Sequence, residues 1–370
     1  MRIPLAAIAM LALVFAGCSS EDESTPCPEG PVFTHHVIDP DSVQNIDPLG
    51  NLNPPGHVFP SDHGGYYVAG PPGGMTTYNV CIYSPGDILI RTMVASEHVT
   101  AGFTDFELNF EVCSDLWGRF GHITTLDPGL FGDTSDYTQW TLEDEYSTGG
   151  ETYRRWRTEV NMSVEGGELL GTTGGNPGQG GLDFGMYDRR ISPPTPANPA
   201  RWDGFGYLYA RLFVELYEPG TVLDELWALV NREDIPYDEH PGGYNMQDVP
   251  GTAHGAWFLP GEPNNPEDPH LALVQSHMLP SRLVLSVGTS VPGAASGAYF
   301  FVPENDGLLN RDFASVMPDG TTYGFVVTWP DYTFIIRMPD ADTLWIEVLD
   351  GEHTNPADWV FTDDKAVFMR

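Results

Sequence analysis

Turn-forming residues interrupt this chain too often for long helices. The 370 residues include 41 glycines and 33 prolines. Between them lie short apolar or alternating runs, not apolar stripes of helical period. In Phe106-Glu107-Leu108-Asn109-Phe110-Glu111-Val112 polar and apolar residues alternate strictly, so such a strand packs one face and wets the other. The runs "GGYYVAG", "TTYNVCIY", "DILIRTMVAS", "FELNFEVC" and "YRRWRTEVNMSV" belong to one β-rich unit, residues 32–191. The expected fold class is mainly β.

A Pro-rich break, "SPPTPANPAR" (residues 192–201), forbids a helix or a central strand and marks a boundary. Residues 202–244 follow as a helical connecting segment. In "GTVLDELWALVNRED", Thr221 is expected to cap a helix, with Asp224 three residues on. Val222, Leu223, Leu226, Trp227, Leu229 and Val230 form its packing face. From residue 245 to 370 strand patterns return in "HLALVQSH", "RLVLSVG", "GAYFFVP", "YGFVVTW", "TFIIRM", "TLWIEVLD" and "KAVFMR". They predict a C-terminal β-sandwich or barrel-like domain.

Charge narrows the partners. Asp and Glu number 52 against 16 Lys and Arg, a formal net charge of −36, and Lys365 is the only lysine. Such a surface repels nucleic-acid phosphates and anionic lipid, so no nucleic-acid partner is expected.

The first residues, "MRIPLAAIAMLALVFAGC", carry one positive charge and then an apolar run shaped like an export signal (residues 1–17). "FAGC" resembles the bacterial lipobox, which implies lipidation of Cys18 and a polar tether over residues 18–31. Membrane attachment through that lipid alone is expected, at the cell envelope and at the outer membrane where the cell has two. With Cys18 so assigned, Cys27, Cys81 and Cys113 remain. An exported protein can form one disulfide among them. Cys81 with Cys113, both in strand-like runs, is the expected pair; Cys27 is the alternative partner.

Three segments carry the candidate chemistry: "GHVFPSDHGGYYV", "WGRFGHITTLDPGLF" and "EGGELLGTTGGNPGQGGLDFGMYD". Their order resembles the lysostaphin-type zinc endopeptidases, β-sheet enzymes that cleave cross-links in bacterial cell walls. "FGHITTL" resembles that family's "YGHLSSL" type of segment and places His122 at its catalytic histidine. "GGELLGTTGG" resembles the turn before its last motif, and "GLDFGMYD" stands where "HLHFE" would be. The family's two last histidines fall on Gly181 and Asp183, and Tyr66 stands where its aspartate is expected. The resemblance therefore implies a rearranged zinc site: His57, His63 and Asp183 as ligands, two nitrogens and one oxygen. His122 would serve as base or oxyanion donor. The expected substrate or partner is peptidoglycan or another extracellular peptide.

The departures at Gly181 and Tyr66 favour a rival, a catalytically inactive pseudopeptidase that binds peptidoglycan or a protein; a purely structural envelope lipoprotein is the third reading, expected where the ligands are scattered and not convergent. Other motifs read as ordinary structure. "DPDSVQNID" lacks the glycine and final glutamate of a calcium loop and reads as loop. His270 and His277 fall on opposite faces of a strand. Trp202, Trp257 and Trp329 read as core.

Overall fold

The structure is a computed structural model that describes residues 26–68, 78–202, 206–230, 243–328 and 331–370. The protein is mainly β, built from antiparallel sheets with little helix.

Eleven strands form the first sheet: β1 (Val43–Asp47), β2 (Gly64–Val68), β3 (Val80–Tyr83), β4 (Ile88–His98), β5 (Phe103–Cys113), β6 (Leu116–Leu126), β7 (Thr141–Thr148), β8 (Glu151–Val164), β9 (Leu169–Thr173), β10 (Gly181–Asp188) and β11 (Ala210–Arg211). The main path runs β1-β2-β10-β6-β5-β4-β8-β7; β11 pairs with β10, and β9 joins β3 to β6. Period-two alternation decides which residues meet the core. On β10, Leu182, Phe184 and Met186 are buried, so Gly181, Asp183, Gly185 and Tyr187 point to the opposite face. On β5, Leu108 and Phe110 are buried while Glu107, Asn109 and Glu111 share the open face with Asp105. The core is aromatic at its centre: Phe184 lies 4.5 Å from both Phe120 and Phe213, centroid to centroid. Burying each such ring contributes roughly 1.5–3 kcal/mol.

Two helices are present among the described residues, the single turn α1 (Pro128–Phe131) and α2 (Thr221–Leu229). The expected cap on α2 is corrected: Gly220 is the N-cap, and no side chain bonds the first turn. Leu226 is buried, and Val222, Leu223, Trp227 and Leu229 pack on the same core. With Leu212, Phe213, Val214 and Leu216 also in that core, the helical segment packs as part of the first unit.

The C-terminal strands form two four-stranded sheets: β12 (Gly255–Trp257), β13 (Leu271–Gln275), β14 (Leu283–Val287) and β15 (Gly297–Phe301), then β16 (Thr322–Thr328), β17 (Asp331–Asp340), β18 (Thr343–Asp350) and β19 (Ala366–Met369). Leu273, Leu285 and Phe301 of one sheet share a core with Phe325, Phe334 and Ile346 of the other, a two-layer packing. A smaller cluster joins the units: Phe59, Trp202 and Tyr207 against Phe258, Ala272 and Val274. Trp202 and Trp257 are core residues. Trp329 lies outside the described residues, as do the export signal and Cys18.

Two further expectations are corrected. Cys113 pairs with Cys27, not with Cys81, and Cys81 is a free, exposed thiol. β3, which carries Cys81, pairs only with β9, whereas Cys113 ends the central strand β5 with a buried side chain. "DPDSVQNID" is not all loop: a 3-10 turn at Pro40–Ser42, capped by Asp39, leads straight into β1.

Candidate functional site

The open face of the first sheet gathers a cluster of histidines and carboxylates across β2, β10, β6 and β5. His63 immediately precedes β2, and Asp183 on β10 faces Gly65 of β2 on one side and Gly121 of β6 on the other. Glycines beside these groups leave them room. A Cβ on Gly121 would stand 3.3 Å from the Asp183 Cβ, and one on Gly185 would stand 3.2 Å from the Arg119 Cγ. Side chains there would displace the two groups that fill the centre of the cluster.

His122 reaches this face through a β-bulge. Phe106 pairs with Ile123 and Leu108 with Phe120, so one residue of β5 opposes two of β6, Gly121 and His122. Simple alternation after Phe120 would turn His122 into the core. The extra residue re-aims it, and His122 takes φ = +59°, a left-handed conformation costing a non-glycine residue roughly 1 kcal/mol. The Thr173 hydroxyl pins the bend, 2.8 Å from the carbonyl oxygens of both His122 and Gly181.

The two imidazoles converge on one oxygen. His63 Nε2 and His122 Nε2 each lie 3.3 Å from Asp183 Oδ2. Their other nitrogens face outward: His63 Nδ1 lies 3.0 Å from both Asp62 Oδ1 and Arg119 Nη2, and His122 Nδ1 lies 2.8 Å from Asp105 Oδ2 and 2.9 Å from Gln179 Nε2. Asp62 also accepts from the Tyr187 hydroxyl at 3.0 Å. Asp105 accepts from Gln179 at 2.6 Å and faces His98 Nε2 at 3.3 Å. Arg119 sits between the two halves, 3.6 Å from Asp62 Oδ1 and 3.6 Å from Glu107 Oε2.

These contacts set the charges. Burial opposes ionisation of Asp183, but His122, His63 and Arg119 outweigh it and hold the carboxyl far below its usual range. Asp62 is held low in the same way by His63 and Arg119, and Asp105 by His122 and His98. Burial likewise opposes charging of His63 and His122, yet Asp183 and the outer carboxylates carry both up to about 9. Both rings are therefore imidazolium at neutral pH. His57 differs. Burial first, and then His63, push it down to about 4, so it is neutral. Its ring stands edge-on to His63, 5.6 Å between centroids. The His122 and Asp183 side chains keep 41% and 27% exposure, so the cluster opens to solvent on their side.

The sequence-derived residues thus meet on one face. His63 and Asp183 touch, His57 lies against His63, and His122 holds a position equivalent to that of His63 on Asp183. Sequence reasoning missed Asp105, Arg119, Gln179 and His98, and read Asp62 as turn chemistry. The period-two acids Asp105 and Glu107, one hairpin before Arg119 and His122, were the available signal. Tyr66 points away into the core, stacked 4.9 Å from Phe213. At Gly181 a Cβ would collide with the Tyr66 carbonyl oxygen, so this backbone has no room for a companion histidine.

Among the described residues, no trio of His, Cys, Asp and Glu side chains surrounds a common point with metal-binding geometry. The donors instead close on one another. No family model, curated protein or solved structure matches the chain. What fold and cluster define is a mainly β protein with a half-open histidine–carboxylate site.

Proposed function

We propose that this cluster is the site of an envelope-anchored peptide hydrolase, in which His63, His122 and Asp183 would hold zinc only after parting from one another, since as they stand no trio among the described residues has metal-binding geometry. The supporting observation is that two imidazole Nε2 atoms meet one carboxylate oxygen while both Nδ1 atoms lie against outer carboxylates. Outer carboxylates of this kind fix the tautomer and orientation of metal-binding histidines. Two imidazolium protons also carry the charge of one divalent cation, so exchanging them leaves the surrounding balance intact. This set keeps two of the three ligands expected from sequence and replaces His57 by His122.

Zinc held there would supply Lewis acidity at the solvent-open side. The protein's own groups do the rest. Asp62 and Asp105 orient the imidazoles. Arg119 compensates the buried acids. His57, kept neutral by burial and by His63, packs edge-on against His63 and helps fix its ring. The order of the three sequence motifs supports a peptide substrate outside the cell, cell-wall peptide in particular, and the lipobox-like "FAGC" supports attachment through Cys18.

A second reading has its own observation. Gly181 leaves no space for a second catalytic histidine, which favours a pseudopeptidase that binds peptidoglycan or a partner protein without turnover. Elemental analysis of the purified chain separates the two. Near-stoichiometric zinc, lost in His63→Ala, His122→Ala and Asp183→Ala but retained in His57→Ala, is expected. A chain that stays metal-free after incubation with zinc would overturn the hydrolase reading and leave the binding one.

A further inference from the structure

A second site lies on the C-terminal unit, on the outer face of the sheet β16-β17-β18-β19. Arg337 on β17 is paired in register with Trp345 on β18. The segment Trp359–Lys365 crosses this face and borders with them an open groove of about 640 Å³, a size suited to a small-molecule ligand. The crossing segment is fixed firmly. Glu347, buried, accepts from Thr362 N at 2.8 Å and from the Thr362 hydroxyl at 2.6 Å. The Trp359 ring lies where a Cβ on Gly324 would be, and its Nε1–H donates to the His353 carbonyl at 2.8 Å.

The lining has an unusual charge for this protein. Lys365, the single lysine of a chain with net charge −36, holds its ammonium 5.2 Å from the Trp345 centroid. The Arg337 guanidinium lies 5.8 Å from the same ring and 5.2 Å from that of Phe361. Neither cation forms an ion pair with a carboxylate among the described residues. Arg337 donates only to the Thr322 hydroxyl, through Nε at 3.0 Å and Nη2 at 2.6 Å, and Lys365 only to the Thr362 carbonyl at 3.4 Å. By contrast, the first sheet matches Arg91, Arg119, Arg154, Arg155 and Arg157 each with glutamate or aspartate. Two cations that form no ion pair among the described residues, in a lining whose one carboxylate is Asp363, complement an anionic ligand.

We propose that this groove binds a carboxylated saccharide. Arg337 and Lys365 take the carboxylate. Trp345 and Phe361, 5.8 Å apart and nearly perpendicular at 79°, offer apolar walls to the ring carbons of a sugar. Asp363 and the Thr362 hydroxyl oxygen, also in the lining, are acceptors for sugar hydroxyl groups, which a peptide carboxylate would not supply, the Thr362 proton being given to Glu347. The net charge of −36 repels long polyanions, so a short or sparsely charged chain fits better than a densely charged one. This assignment is independent of the histidine cluster.

Calorimetric titration of the full chain with trigalacturonate tests it, with maltotriose and triglutamate as the uncharged-sugar and carboxylated-peptide arms. Saturable binding of trigalacturonate is expected. It should be at least tenfold weaker in Lys365→Ala and in Arg337→Gln, and at least tenfold weaker for maltotriose. Both substituted side chains are partly exposed, and equal thermal midpoints verify the fold of each variant. No binding up to millimolar trigalacturonate, or binding that neither substitution changes, overturns the proposal. Equal affinity for triglutamate overturns the saccharide assignment.

Discussion

Glu267 gives the sharpest stability prediction. It belongs to the C-terminal unit, yet its Oε2 accepts from Phe59 N at 2.7 Å, in the loop between His57 and His63. Burial raises its carboxyl from 4.5 to about 8, assisted by Asp62, while the backbone bonds to Phe59 and Val58 and the charge of His63 only partly oppose. Between those two pH values the folded chain keeps a proton that the unfolded chain has released. Stability therefore falls as pH rises through the window, and the loss is complete above the upper value. The full shift corresponds to about 5 kcal/mol at 1.36 kcal/mol per pH unit. The side chain is not wholly shielded from water, so roughly 2–4 kcal/mol is the working magnitude. Glu267→Gln keeps an oxygen for Phe59 N–H and never ionises. In urea unfolding at pH 5 the two proteins should agree within about 1 kcal/mol. At pH 9 the glutamine variant should be more stable by about 2–4 kcal/mol. A gap of equal size at both pH values, or a variant less stable at pH 9, would refute the reasoning, because only ionisation of this carboxyl separates the two proteins across that range.

Two more outcomes are expected. Gly181→Ala should cost at least about 2 kcal/mol in the same urea assay, since the added Cβ meets the Tyr66 carbonyl oxygen; a neutral result would show that β2 and β10 can separate there. Replacing Cys27 and Cys113 together by serine opens a loop with a sequence separation of 86 and should lower the stability of the first unit by about 2–4 kcal/mol, whereas Cys81→Ser should leave the thermal midpoint unchanged.

The strands were legible because burial imposes period two on them. All seven C-terminal runs read from the sequence became strands, and Phe106–Val112 alternates in space as it does in sequence. β7 was not legible. "TLEDEYST" has no apolar alternation and is almost wholly exposed, so pairing with β8 alone defines it. The disulfide was hidden for a similar reason. Strand character places Cys81 and Cys113 in one sheet but says nothing of how far apart β3 and β5 lie, and Cys27 arrives from outside any strand. The site was half visible. His57, His63, His122 and Asp183 could be singled out by residue type and motif order, but which of them touch depends on register, on a bulge and on the glycines that make room. Asp105 and Arg119 looked like the wet face of ordinary strands, which in period and polarity they are.

The bulge at His122 makes the site a matter of counting. Removing that one residue would let Gly121 stand opposite Glu107 and Ile123 opposite Phe106, an unbroken ladder free of the left-handed residue. The shortened strand would be the better-formed one, and it would carry no imidazole at the cluster. Selection for foldability alone, in a laboratory library or in a lineage that no longer used the site, would favour that deletion. The chain thus carries His122 at a cost to the ladder, and strand length at this point, compared between related chains, would tell whether the imidazole and the rest of the cluster are kept together.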